Sequence, residues 1–103
     1  MAVETPRISP TEGAILSVLL ERETYGLQIV NEIKERGGRL SLGGVYTLLN
    51  RLEQKGLVEG RWEASSNERK GARRRYYRVT GLGRRVLSAL RDLFMPAGLE
   101  LSR

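Results

Sequence analysis

Apolar residues recur along the chain at helical spacing, broken by one stretch of strand-like alternation. Ile15, Leu16, Leu19 and Leu20 fall three and four apart, which is one face of a helix. Ahead of them stands Ser9-Pro10-Thr11-Glu12. Ser9 suits the N-cap, Pro10 the first helical position, and Glu12 the return bond of a capping box. The spacing predicts a first helix running to about Glu23. Thr24 is the next candidate cap. Leu27, Ile29, Val30 and Ile33 then mark a second apolar stripe, with Gln28, Asn31, Glu32 and Glu35 facing outward. Gly37-Gly38 ends this helix, because glycine takes the left-handed C-cap conformation without steric cost.

Ser41 caps a third helix, roughly Gly43 to Lys55, buried through Val45, Leu48, Leu49 and Leu52 and stopped by Gly56. Leu57 to Ala64 reads as a strand, Ser65 to Ala72 as a polar loop, and Arg74 to Val79 as the return strand. Tyr76 and Tyr77 point to opposite faces of this ribbon, so one of them belongs to the core. Trp62, on the paired strand, reads as a packed residue. Thr80 caps a last helix, about Gly81 to Phe94, and Pro96 and Gly98 end it.

Three helices, a ribbon and a fourth helix make the plan of a winged helix-turn-helix: mainly α with a small antiparallel β-ribbon. A chain of 103 residues has no room for a second core, so 1–103 is read as one domain. The core is expected over about 9–79, and the helix over about 81–94 serves dimerisation.

Charge sharpens this picture. Residues 1–60 carry seven basic and eight acidic side chains, whereas residues 69–91 carry nine basic ones and no acid. Eight of those nine are Arg, whose planar fork matches phosphate oxygens. Such asymmetry points to a polyanionic partner. Cys and His are absent, which excludes disulfides, Cys/His zinc sites and His-based triads. With no paired acids and no glycine-rich phosphate loop, no catalytic residue, metal site or cofactor is expected. No apolar run reaches membrane-span length, and MAVETPRISP lacks a signal-peptide core. The expected compartment is the cytoplasm, with no membrane partner.

The motifs resemble a known family. Ser41-Leu42-Gly43-Gly44-Val45-Tyr46, Leu49, Arg51-Leu52-Glu53 and Gly56-Leu57-Val58 resemble the recognition-helix signature of the PadR transcriptional regulators. Tyr25-Gly26 is similar to that family's Tyr-Gly at the second helix. Arg74-Arg75-Tyr76-Tyr77-Arg78-Val79-Thr80, with Gly83 beyond it, is similar to its wing-to-helix junction. The resemblance spans about residues 9 to 92. Gly44 departs from the family's usual Thr or Ser, and Thr47 from its usual Pro. The resemblance implies a homodimeric repressor on a palindromic operator of double-stranded DNA, released by a small-molecule effector or a stress signal. Some family members stack planar drugs between tryptophans of the C-terminal helix; this helix has none.

On this reading Ser41, Gly43, Thr47, Asn50, Arg51 and Gln54 face the major groove, where Asn, Arg and Gln read base edges. Tyr46 either packs in the core beside Val45 or, as the resemblance implies, contacts DNA near the start of the helix. Tyr25 either packs on the first helix or reaches a phosphate at a helix N-terminus. Arg69, Lys70, Arg73, Arg74 and Arg75 lie on the wing and meet mainly phosphates. Dimerisation is assigned to Leu87, Leu90, Leu93 and Phe94, supported by Ile15 and Leu19 of the first helix. The competing class is a small basic RNA-binding or ribosome-associated protein. That reading calls for aromatic residues on an open sheet face, where bases stack.

Overall fold

A computed structural model of the chain describes residues 7–64 and 73–94. The elements run α1 (Pro10–Glu21), β1 (Thr24–Tyr25), α2 (Gly26–Glu35), α3 (Leu42–Gln54), β2 (Val58–Trp62), β3 (Arg75–Val79) and α4 (Gly81–Phe94). The segment read as the wing loop, with Arg69 and Lys70, lies outside the described residues.

The capping box at Ser9 forms as its sequence predicts. The Glu12 N–H donates to Ser9 Oγ at 3.1 Å, and Glu12 Oε1 accepts from the Ser9 N–H at 2.8 Å. The same carboxylate is buried and paired with Lys55 Nζ at 3.1 Å, which ties the end of α3 to the start of α1. Gly37 (φ +90°) and Gly56 (φ +77°) close α2 and α3 in the left-handed region. Thr80 caps α4 by accepting from the Gly83 N–H at 3.0 Å.

α1 lies at the centre, against α2, α3, β3 and α4. Its Ile15, Leu16, Val18 and Leu19 join Ile29, Val45, Leu49, Leu52, Leu57, Val58 and Tyr77 in the core. This corrects one expectation. Ile15 and Leu19 are sealed inside their own subunit, so no partner chain can touch them.

α2 is rolled away from the stripe expected for it. Gly26, Ile29 and Ile33 face inward, while Leu27 is 51% exposed. Glu32, expected on the outside, is buried. It accepts from Arg22 Nη2 at 2.5 Å and lies 3.7 Å from Arg36 Nη2. Two guanidiniums and the Gln28 amide compensate that buried carboxylate.

The sheet has three strands in the order β1-β3-β2, all antiparallel. Thr24 is not a cap. It is buried in β1 opposite Tyr77, and Tyr25 takes the N-cap of α2 without a side-chain bond. A two-residue strand carries no periodic signal; the free edge of β3 recruits it. The choice between the tyrosines is resolved as well. Tyr77 is buried, and Tyr76 lies half-buried on the opposite face.

α4 is held close to the β2 entry. A Cβ on Gly83 would stand 2.2 Å from the Leu57 carbonyl oxygen, so only glycine admits this approach. Val86 is buried and Leu82 and Leu87 pack on the core. Leu90 is half-buried and Leu93 is 71% exposed.

Candidate nucleic-acid interface

The cap and the buried stripe fix the roll of α3. Ser41 Oγ accepts from the Gly44 N–H at 3.0 Å, and Val45, Leu49 and Leu52 point into the core. Gly43, Tyr46, Thr47, Asn50, Arg51 and Gln54 are therefore left exposed, in a band along the opposite side. Thr47 Oγ1 donates to the Gly43 carbonyl at 3.0 Å. Among the described residues, Asn50, Arg51 and Gln54 make no side-chain hydrogen bond or ion pair. Amide and guanidinium groups so placed are the donors and acceptors that match base edges.

Tyr46, within this band, lies over the start of α2. A Cβ on Gly26 would stand 2.7 Å from the Tyr46 ring, so the glycine lets α2 and α3 close on each other. Lys34 and Arg39 were passed over by the sequence reading. Both are exposed, and with Val30, Leu40 and Ser41 they line a cavity of about 520 Å³ beside the start of α3. One cation in the last turn of α2 and another in the connector before α3 were the available signal.

The ribbon carries a second set of cations. Its register runs from Val58 opposite Val79 to Trp62 opposite Arg75. Arg73 is exposed. Arg74 lies over the Tyr25 ring, 4.1 Å from its centroid. Tyr25 in turn meets Tyr76 edge-on, with centroids 5.5 Å apart. Tyr25 thus belongs to the outer face of the sheet. Arg61 covers Tyr76 at 5.1 Å and donates twice to Glu23, at 2.9 and 3.0 Å. That fork holds the Glu23 carboxyl below its usual range. Guanidiniums already stack on the two exposed-side tyrosines.

Arg75 is engaged within the chain, and Trp62 departs from expectation. Arg75 was expected at a phosphate. Its Nη2 instead donates to Glu53 Oε2 of α3 at 3.0 Å, and its guanidinium lies near the rings of Trp62 (5.3 Å) and Tyr77 (5.5 Å). Trp62, expected to be packed, is 56% exposed. Val58, Gly60 and Trp62 share one side of the strand, but the core ends before Trp62 is reached.

The profile of the transcriptional regulator PadR-like family matches residues 15–89. The chain belongs to that family. An uncharacterized protein of Lysinibacillus sphaericus is 34% identical over 82 residues, covering 77% of this chain and 72% of that one. A PadR family transcription regulator from hypervirulent Clostridium difficile R20291 superposes with a TM-score of 0.73 at 29% identity, over 84% of this chain and 88% of that one. Bacillus subtilis PadR, solved in complex with operator DNA, has the same fold with a TM-score of 0.71 at 20% identity. It is matched over 91% of this chain and 52% of its own. Among the described residues of this PadR-family chain, no cluster of metal-ligating side chains occurs and no helix is long and apolar enough to cross a membrane.

Proposed function

We propose that this PadR-family chain is a homodimeric repressor that reads a palindromic DNA operator with α3 and grips the flanking backbone with the ribbon. The observation that carries the reading is the exposed band on α3. Asn50, Arg51 and Gln54 stand there without partners in the described structure, beside Tyr46 and Thr47. A solvated surface helix needs no such concentration of base-reading groups next to a basic ribbon. The complex of Bacillus subtilis PadR with operator DNA supports a duplex as the partner. Arg73 and Arg74 suit phosphate contacts, as do Lys34 and Arg39. Leu87, Leu90 and Leu93 of α4 are the dimer surface on this reading, with Phe94 continuing the stripe in sequence. Release by a small-molecule or stress signal completes the family pattern.

The covered tyrosines favour DNA over single-stranded RNA. Tyr77 is in the core, and Tyr25 and Tyr76 already carry Arg74 and Arg61. Footprinting on the DNA upstream of the protein's own gene tests the proposal. It predicts two protected half-sites related by a dyad, roughly one helical turn or a multiple of it apart. Uniform protection with no dyad contradicts it.

A further inference from the structure

Resting on that reading, we propose that Glu53, Arg75 and Trp62 form a clasp that fixes the angle of the ribbon to α3. Arg75 is then a positioning residue and not a phosphate contact. Along the chain the ribbon follows α3 through Lys55-Gly56-Leu57, and Gly56 sits in the left-handed region. Val58 and Leu57 anchor the near end of β2 in the core. The far end, where Trp62 pairs with Arg75, extends beyond the core. Arg75 reaches back from that end to Glu53, one turn from Asn50 on the recognition helix.

The seat for the guanidinium is built into the backbone. A Cβ on Gly60 would lie 2.8 Å from Arg75 Cζ and Nη2 and 2.9 Å from Nε. Glycine at that position leaves the guanidinium room to lie across β2. Trp62 and Tyr77 flank it on the same face of the sheet, and Glu53 takes its proton-bearing edge. A guanidinium within cation–π range of two rings that also makes a charge-assisted bond suits Arg better than Lys. Moving Arg75 to a phosphate would break both and leave the Glu53 carboxylate facing a polyanion. Held in place, Arg75 neutralises that carboxylate beside the reading surface and sets where Arg73 and Arg74 stand.

Gly60→Ala isolates the clasp. The methyl group displaces the flexible end of Arg75, keeps every charge and leaves the backbone unstrained. Arg75→Lys and Arg75→Ala accompany it. Trp62 is the sole tryptophan, so acrylamide quenching of its fluorescence reports the clasp in DNA-free protein. Binding is measured across a salt series on a duplex selected from a random pool by the wild-type chain, and on random duplex. Gly60→Ala and Arg75→Lys are expected to raise quenching and lower the preference for the selected duplex roughly threefold to tenfold. The salt slope of Arg75→Ala is expected to stay near wild type. Unchanged quenching and preference in Gly60→Ala and Arg75→Lys would overturn the clasp. So would a slope that falls in Arg75→Ala by about 0.9 per subunit, the signature of a lost phosphate contact. A wild-type chain that selects no sequence overturns the DNA reading itself, and the positioning role with it.

Discussion

Tyr46 of α3 rests on the backbone of Gly26 at the start of α2, so closely that a methyl on Gly26 would stand 2.7 Å from the ring. The two helices of the reading unit are set by that contact. Gly26 has an ordinary backbone conformation, and a Gly→Ala change at such a site normally stabilises by about 0.4–1 kcal/mol. Here the sign is expected to reverse. Gly26→Ala should destabilise by roughly 1–3 kcal/mol through overpacking. In a Tyr46→Ala background the same change should be neutral or stabilising. Urea unfolding of the four chains of this double-mutant cycle measures the coupling; additive effects would show that the ring and the glycine do not constrain each other.

The Glu12–Lys55 pair makes stability depend on pH in a stated direction. Burial pushes the Glu12 carboxyl up, but the Ser9 N–H and the Lys55 ammonium outweigh it and hold the group below its usual range. A depressed carboxylate contributes stability that is fully present above the unfolded value of 4.5 and is lost as pH falls through the lower folded value. Lys55→Met leaves a buried carboxylate without its cation. The variant should lose roughly 1–3 kcal/mol at neutral pH, and the gap to wild type should narrow on acidification as Glu12 protonates in both. Urea midpoints between pH 7 and pH 3 give the gap; a constant difference would mean that Lys55 acts through packing alone.

Much of this architecture is legible in local chemistry. Ser9, Ser41 and Thr80 announce helix starts because a side-chain oxygen must satisfy N–H groups there. Gly37 and Gly56 announce stops. The α3 face follows from Val45, Leu49 and Leu52. What stays hidden depends on distant partners. Two residues, Thr24 and Tyr25, become a strand only because β3 offers an open edge. Glu32 looks like a surface acid until Arg22 and Arg36 close over it. Ile15 and Leu19 look available for a partner until α1 is found at the centre of the fold. Arg75 sits in a run of three arginines whose fates differ. Only tertiary placement puts Glu53 beside it and a Tyr25 ring under Arg74.

The dimer surface proposed for α4 can be separated from the core. Leu93 is 71% exposed and Leu90 is half-buried, whereas Val86 is buried. The double change Leu90→Glu and Leu93→Glu should therefore yield folded monomers, while Val86→Glu should unfold the chain. Sedimentation equilibrium with circular dichroism distinguishes these outcomes. A dimer that survives the double change would move the interface off α4.

The most direct test of the central claim is competition binding by Asn50→Ala. Asn50 stands in the middle of the α3 band, exposed and without a partner in the described structure. Affinity is compared on operator and on random duplex across a salt series. If α3 reads base edges, Asn50→Ala should weaken operator binding by roughly 1–3 kcal/mol per contact. Affinity for random DNA and the salt slope should stay at wild-type values. Equal losses on both duplexes, or none on either, would contradict the assignment of α3 as the reading helix.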